Sequence, residues 1–316
     1  MHDTSRNYSR GYLIAITATT LWSFTGILIS YLVKAYALPA LVLAVWRNLF
    51  VCVGLVAAFT LFTPARFRLP RRHWLFISLY GLILAFFNSM WTFSVQFNGA
   101  AVATVLAFSS PALTALLARF VLKELMSPIR WISILLSLAG TTLVSGLLSA
   151  TAWRVNPAGI SFGLLTGFFF ACYNMLGKTA ANRSIDSWTT LLYSFGISTL
   201  FLFLFNIIAN TASGQFPLAN FLWLGSSFAG WSILFFLGVA PTLGGFGLYS
   251  MSLGYLPATV ANLIATLEPA LTAIWAFFLL HELLTPIQFV GSLLIFAGVI
   301  LLRLRDTNKK AVPAME

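Results

Sequence analysis

Residues 258–298 read ATVANLIATLEPALTAIWAFFLLHELLTPIQFVGSLLIFAG, and residues 100–140 read AAVATVLAFSSPALTALLARFVLKELMSPIRWISILLSLAG. Set side by side without a gap, Pro111 falls on Pro269, Glu124 on Glu282, Pro128 on Pro286 and Gly140 on Gly298, and 20 of the 41 positions are identical. Apolar composition alone yields some chance identities, but not prolines and glutamates held at one constant offset. The stretch is an internal duplication. Each copy holds two apolar runs divided by a Glu-Leu-x-x-Pro break. The copies part company where Ser110 of the first meets Glu268 of the second. An ionisable group inside an apolar run marks a functional site by default.

Working outward, the chain has 316 residues, 59% hydrophobic and only 8% charged. No soluble core needs so much apolar surface, so a polytopic membrane protein is expected, with the lipid bilayer as its solvent. Lys and Arg number 18 against 7 Asp and Glu, a net charge of +11. Most of these basic residues sit between apolar runs, which fits the positive-inside bias and argues against nucleic-acid binding. Cys52 and Cys172 both lie within apolar runs, too few for a disulfide framework or a metal site, and no cofactor is implied. The first run is too long for a signal peptide's apolar core and lacks a small-x-small cleavage site, so it is expected to remain as a mature helix.

Ten apolar runs, each near the roughly 20 residues that cross a bilayer as helix, span 11–35, 39–62, 73–97, 99–122, 129–148, 157–180, 188–209, 230–254, 257–280 and 287–302. Polar tails flank them at 1–10 and 306–316. With the N-terminus inside, the inner segments carry Arg6, Arg10, Arg66, Arg68, Arg71, Arg72, Lys123, Arg130, Lys178, Arg183, Arg303, Arg305, Lys309 and Lys310. The outer segments carry only Lys34 and Arg154. That bias predicts both termini in the cytoplasm. The duplicated pairs, helices 4–5 and 9–10, stand five helices apart. Five is odd, so the copies are expected to enter the membrane from opposite sides, an inverted repeat of the kind secondary transporters use. Residues 79–97 match 237–255 more weakly at the same offset, pairing Trp91 with Tyr249. The expected fold is all-α and integral to the membrane, ten transmembrane helices as two inverted five-helix repeats, 11–150 and 151–305.

Ten helices, two five-helix halves and a Pro-Ala-Leu…Glu-Leu…Pro…Gly pattern closing each half resemble the drug/metabolite transporter superfamily, and within it the EamA family of bacterial inner-membrane exporters. The resemblance covers nearly all of 11–305. It is carried by Trp22-Ser23, Arg47, Pro111 with Glu124, and Glu268-Pro269 with Glu282. It implies a central cavity between the halves, alternating access and no ATP hydrolysis. Substrate stays open among amino acids, amines, drugs and other metabolites.

Glu268 is expected near the middle of its helix. Pro269 donates no backbone hydrogen bond, so the Ala265 carbonyl loses its usual partner. A carboxylate and a freed carbonyl one turn apart suit an ammonium group or a coupling proton. The alternatives are a glutamate kept protonated by burial, or one paired to Arg47 for stability alone. Ser109-Ser110-Pro111 is the matching element, offering hydroxyls alone, which either complete a polar cradle or bond back to their own helix. Arg47, buried in helix 2, either grips a substrate carboxylate, pairs with Glu268, or bonds neighbouring helix carbonyls. Arg119 reads as a snorkelling residue.

Trp22, Asn88, Trp91, Tyr173, Asn174, Tyr249 and Asn262 are the other polar or amphipathic side chains at membrane depth. Rings beside amides suit a cavity for a small amphipathic molecule, although each aromatic alone also fits helix packing or an interfacial belt. The asparagines each need a partner in hydrocarbon. Pro241 and Gly244-Gly245-Phe246-Gly247 mark helix 8 as a hinge or a close-packing surface. Glu124 and Glu282 end helices 4 and 9 and read as interfacial anchors or gate contacts. His281 beside Glu282 is a titratable group at the outer face.

The function these residues predict is a secondary or facilitative transporter of small amine-bearing metabolites or amino acids, in the direction of export. Efflux of cationic drugs is the alternative. A membrane enzyme would need clustered nucleophile, base or metal ligands, and His2, His73 and His281 lie in tails or at helix ends with no metal or phosphate motif. A channel or receptor fits an inverted duplication poorly. Partners are therefore a small-molecule substrate, a coupling proton and lipid, with the oligomeric state left open.

Overall fold

The computed structural model describes residues 2–124, 126–144, 156–214, 216, 218, 220–280 and 285–308, and within them it is built of helices with no strand. In order these are α1 (His2–Tyr36), α2 (Ala40–Phe62), α3 (Trp74–Ala107), α4 (Ser110–Val121), α5 (Pro128–Val144), α6 (Pro157–Asn182), α7 (Ser187–Ala212), α8 (Phe228–Leu237), α9 (Leu243–Tyr255), α10 (Ala258–Ala265), α11 (Glu268–Leu280) and α12 (Pro286–Asn308). Six stretches are long and apolar enough to cross a membrane: Asn7–Val33, Leu41–Phe62, Arg71–Ser94, Pro157–Asn182, Ser187–Ala212 and Phe228–Tyr255. Val105–Val121, Pro128–Val144 and Pro286–Leu302 are shorter apolar helices. Residues 281–284, with His281 and Glu282, the 150/151 boundary, Arg154, Lys309 and Lys310 lie outside the described residues.

Most helix ends fall near the expected boundaries, but at two points a helix breaks at a proline inside an expected run. The run expected to end near residue 97 continues as one helix of 34 residues to Ala107. Gly99 alone costs about 1 kcal/mol relative to alanine, and Ala100, Ala101 and Ala103 restore helix-forming sequence around it. The ladder fails only where Pro111 lacks its N–H. There Ser109 N–H turns back to the Leu106 carbonyl at 3.1 Å, and Leu113 N–H reaches the Ser109 carbonyl at 3.3 Å. The second copy repeats the break. Pro269 divides the run expected at 257–280 into α10 and α11, with Leu267 N–H on the Ile264 carbonyl at 3.0 Å and Leu271 N–H on the Leu267 carbonyl at 2.9 Å. The offset that aligns the two sequences carries each of these bonds onto its counterpart.

The duplicated helices α5 and α12 pack face to face. A Cβ added at Gly140 would lie 2.5 Å from the Gly291 carbonyl oxygen, and one added at Gly298 would lie 2.9 Å from the Ser133 carbonyl oxygen. The alignment exchanges these two contacts, Gly140 for Gly298 and Ser133 for Gly291. Small residues let the backbones meet where no water-driven force holds helices together. The contacts run in opposite order along the two helices, so α5 and α12 are antiparallel. The halves also interlock, α6 lying along α3 while α1 lies along α8, α9 and α10.

One end of the bundle gathers basic residues. Arg66 Nε lies 3.8 Å from an Asp186 carboxylate oxygen, Arg183 sits 4.6 Å over the Phe76 ring, and Arg10 lies 5.7 Å over Tyr255. Thr189 and Tyr193 donate to the Arg66 and Phe67 carbonyls at 2.9 and 2.7 Å, tying the 64–73 connection to α7. The opposite end is rich in aromatic side chains. Trp46 and Trp223 donate ring N–H groups to the Phe221 and Tyr36 carbonyls at 2.8 and 2.7 Å. Between α8 and α9 the chain forms a π-helical turn, Gly238–Thr242, around Pro241. The Thr242 hydroxyl donates to the Leu237 carbonyl at 2.7 Å.

Candidate functional site

The inner face of α9 is set by glycine. A Cβ at Gly245 would stand 2.3 Å from the Trp22 ring, and one at Gly247 would stand 2.3 Å from the Trp188 ring. The Gly244-Gly245-Phe246-Gly247 run is therefore a seat for two indoles as well as a place of low helix propensity. Seated on it, Trp22 of α1 packs against Phe246 and Tyr249, with ring centroids 4.7 and 4.9 Å away.

From Tyr249 a buried polar chain crosses the bundle. Its hydroxyl donates to Asn174 Oδ1 at 2.6 Å. Asn174 and Asn262 each donate from Nδ2 to the Thr114 hydroxyl, at 3.5 and 2.7 Å. Ser110 Oγ lies 3.5 Å from Asn262 Oδ1, and the Tyr173 and Ser250 hydroxyls are 3.5 Å apart. The structure thus unites six of the expected residues, Trp22, Ser110, Tyr173, Asn174, Tyr249 and Asn262, from α1, α4, α6, α9 and α10. The pairing of amides with hydroxyls answers the demand that each asparagine find a partner in hydrocarbon. Thr114, the acceptor both amides share, escaped the sequence reading. Its signal was present, since Thr114 and Thr272 are identical in the two copies.

A second group lies apart from this chain. Arg47 of α2, 8% exposed, donates from Nη2 to Asn88 Oδ1 of α3, and Asn88 donates to the Leu84 carbonyl at 3.0 Å. Trp91 follows one turn on and is half-buried. Arg47 and Glu268 sense each other's charge, yet no ion pair joins them within 4.0 Å among the described residues. Glu268 opens α11 and is half-buried, whereas α10 before it is buried throughout.

Two further residues place α11. Thr272 donates to the Ser23 carbonyl at 3.0 Å and Trp275 Nε1 to the Ser23 hydroxyl at 2.9 Å, with the Trp275 ring stacked on Phe24 at 4.7 Å. Glu268, Thr272 and Trp275 recur at helical spacing, so this pinning turns Glu268 toward α1. Among the described residues, two buried donors of this region, Trp22 Nε1 and Arg47 Nε, have no hydrogen-bond partner. Leaving a buried donor unmet costs about 1–3 kcal/mol, which polar groups of a ligand would recover.

The comparisons with known proteins agree on what this architecture is. The EamA-like transporter family matches the chain twice, over residues 9–146 and 157–304. An uncharacterized inner membrane transporter, YicL, of Salmonella typhimurium is 27% identical over 315 residues, covering 96% of this chain and 97% of that protein. An uncharacterized transporter, sll1319, of Synechocystis is 27% identical over 222 residues, 70% of this chain and 64% of the relative. An S-adenosylmethionine uptake transporter of Rickettsia bellii is 28% identical over 204 residues, 65% of this chain and 64% of that protein. A crystal structure with 18% sequence identity superposes with a TM-score of 0.74, covering 94% of this chain and 97% of its own, and shares the fold. Transporters, not enzymes, populate these relatives, and the helices above are apolar and long enough for repeated crossings. The chain belongs to the EamA-like transporter family and is a multi-pass membrane protein.

Proposed function

We propose that the protein is a secondary or facilitative transporter that carries small amine-bearing metabolites or amino acids across the inner membrane, in the direction of export, by alternating access. In this reading the chain crosses ten times as two five-helix halves, 11–150 and 151–305, facing opposite ways, with both termini cytoplasmic. The antiparallel packing of α5 on α12 and the matched breaks at Pro111 and Pro269 support it. The single observation that carries the substrate class is the half-buried Glu268 carboxylate at α11, within electrostatic reach of an Arg47 whose Nε is unpartnered. One group receives an ammonium or a coupling proton, the other a carboxylate. Trp22, Trp91, Tyr173, Tyr249, Asn88, Asn174, Asn262 and Ser110 line or brace the path.

Transport by purified protein in liposomes tests this, with labelled amino acids, amines and dyes offered at two pH values and from both sides. S-adenosylmethionine belongs in the panel because two Rickettsia relatives are named as its uptake transporters and because it has an amino-acid end. If amino acids are carried, Glu268→Gln and Arg47→Lys both lose transport. Cationic-drug efflux, the second reading, depends on Glu268 and tolerates Arg47→Lys. Saturable transport of none of these compounds would overturn the proposal.

A further inference from the structure

At the basic end, the turn between α9 and α10 is held by two side chains of opposite charge from elsewhere in the chain. The Glu124 carboxylate accepts from the Ala258 backbone N–H at 2.8 Å and from the Thr259 hydroxyl at 3.0 Å. The Lys178 ammonium donates to the Leu253 and Leu256 carbonyls at 2.8 and 2.9 Å. An anion thus caps the N-terminus of α10 and a cation the C-terminus of α9, each the sign that helix end favours. The Lys178 ammonium lies within electrostatic reach of the Glu124 carboxylate.

Glu124 is aimed by local strain. Its own N–H reaches back to the Ala118 carbonyl at 3.0 Å, closing α4 through Lys123 at φ 54°, a left-handed conformation that a lysine adopts only when its surroundings hold it there. Arg10, over Tyr255, is a further charged group against the turn.

One helical turn farther in lies the neutral chain of Tyr249, Asn174, Thr114 and Asn262. Asn174 is four residues from Lys178, Tyr249 four from Leu253, and Asn262 four from Ala258, so the charged and neutral layers stack directly. Gly177 closes the space between them, since a Cβ there would meet Leu253 at 2.5 Å and the Tyr80 hydroxyl at 2.8 Å. Beyond both layers, away from the basic end, lie the half-buried Glu268 and Trp91. The two layers together close the basic end of the bundle.

We infer that Glu124 and Lys178 are a gate latch: they hold the α9–α10 turn against α4 and α6 and close the basic end, and access to Glu268 from that end requires the latch to release. Glu124 stands where Glu282 stands in the other copy, but it is the partner across the bundle, α10, that shows what it does. The inference rests on the alternating-access reading, and its test needs no substrate.

The reporter is a single cysteine, Thr114→Cys, in protein whose Cys52 and Cys172 are replaced by alanine. The probe is a membrane-impermeant, positively charged methanethiosulfonate applied to oriented vesicles from each side. Glu124→Gln and Lys178→Met are expected to raise the labelling rate from the Lys123 and Arg183 side by about tenfold, as loss of a hydrogen bond to a charged group implies. Labelling from the opposite side should fall. Glu124→Asp, which keeps the charge but falls short of Ala258, should give a smaller rise and serves if the other variants fail to fold. Rates unchanged from both sides in the variants that fold would overturn the latch while leaving the substrate reading standing. A wrong substrate class would appear only in the liposome transport assay and would not remove the labelling difference between these variants and the parent protein.

Discussion

Glu268 and Arg47 are held apart rather than paired, the arrangement that the amino-acid substrate proposed above would require. A direct ion pair would satisfy both groups, and a substrate would then have to break it. Instead Asn88 takes one edge of the guanidinium, leaving Nε free, and Thr272 with Trp275 turns Glu268 toward α1. Removing one partner of a buried charged contact costs at least about 2 kcal/mol, so Glu268→Gln should slow uptake into liposomes roughly thirtyfold or more and flatten its pH dependence. Expression and thermal midpoint should hold, because the carboxylate makes no ion pair within the described fold. Gly245→Ala makes the opposite demand. Its Cβ would fall 2.3 Å from the Trp22 ring, and overpacking of this kind costs about 1–3 kcal/mol. A lowered thermal midpoint and altered tryptophan emission should report the displaced indole. At this scale the sequence showed which residues were costly in hydrocarbon but not who met whom. Thr114 was hidden because a lone threonine on an apolar helix usually bonds to its own backbone, as Thr142 and Thr166 do here.

Among the elements, the two broken helices organise the middle of the bundle. Each break puts helix termini at the depth of the polar groups, and the second places Glu268 on the first turn of α11, where the helix dipole favours a carboxylate. Pro269→Ala would return an N–H to the Ala265 carbonyl and let α10 and α11 fuse. Glu268 would then turn away from its present direction, and transport is expected to fall roughly tenfold, the factor that 1.4 kcal/mol represents. Hydrogen exchange at residues 265–269 should slow in the same variant as the ladder closes. The prolines were legible as punctuation before any coordinates, and so was the duplication. Near residue 97 the apolar span ends as expected, at Ser94, and resumes at Val105, while the alanines between them keep the helix itself unbroken to Ala107. The π-helical turn at Gly238–Thr242 had only Pro241 to announce it. The Trp22 and Trp188 seats that explain the glycines after it come from α1 and α7, far away in sequence.

Across the whole molecule, what matters is the direction in which each copy crosses. Two copies of one sequence that bury the same faces against each other can do so by translation or by a two-fold rotation. The contacts distinguish the two: Gly140 meets Gly291 while Gly298 meets Ser133, an exchange that only a two-fold relation produces. If that axis lies in the membrane plane, equivalent positions of the two copies face opposite sides of the bilayer. Ser127 and Thr285, each just before the proline that starts α5 and α12, are such a pair. Single cysteines there, in protein without Cys52 and Cys172, should react with an impermeant maleimide from opposite sides of intact cells and of inverted vesicles. Ser127→Cys is expected to be protected in cells and labelled in inverted vesicles, with Thr285→Cys behaving the other way, because Ser127 lies in the connection that carries Lys123 and Arg130. Labelling of both from one side would mean that the copies cross the bilayer in parallel. The rocking of one half against the other would then lose its geometric basis, however well the polar chain is satisfied.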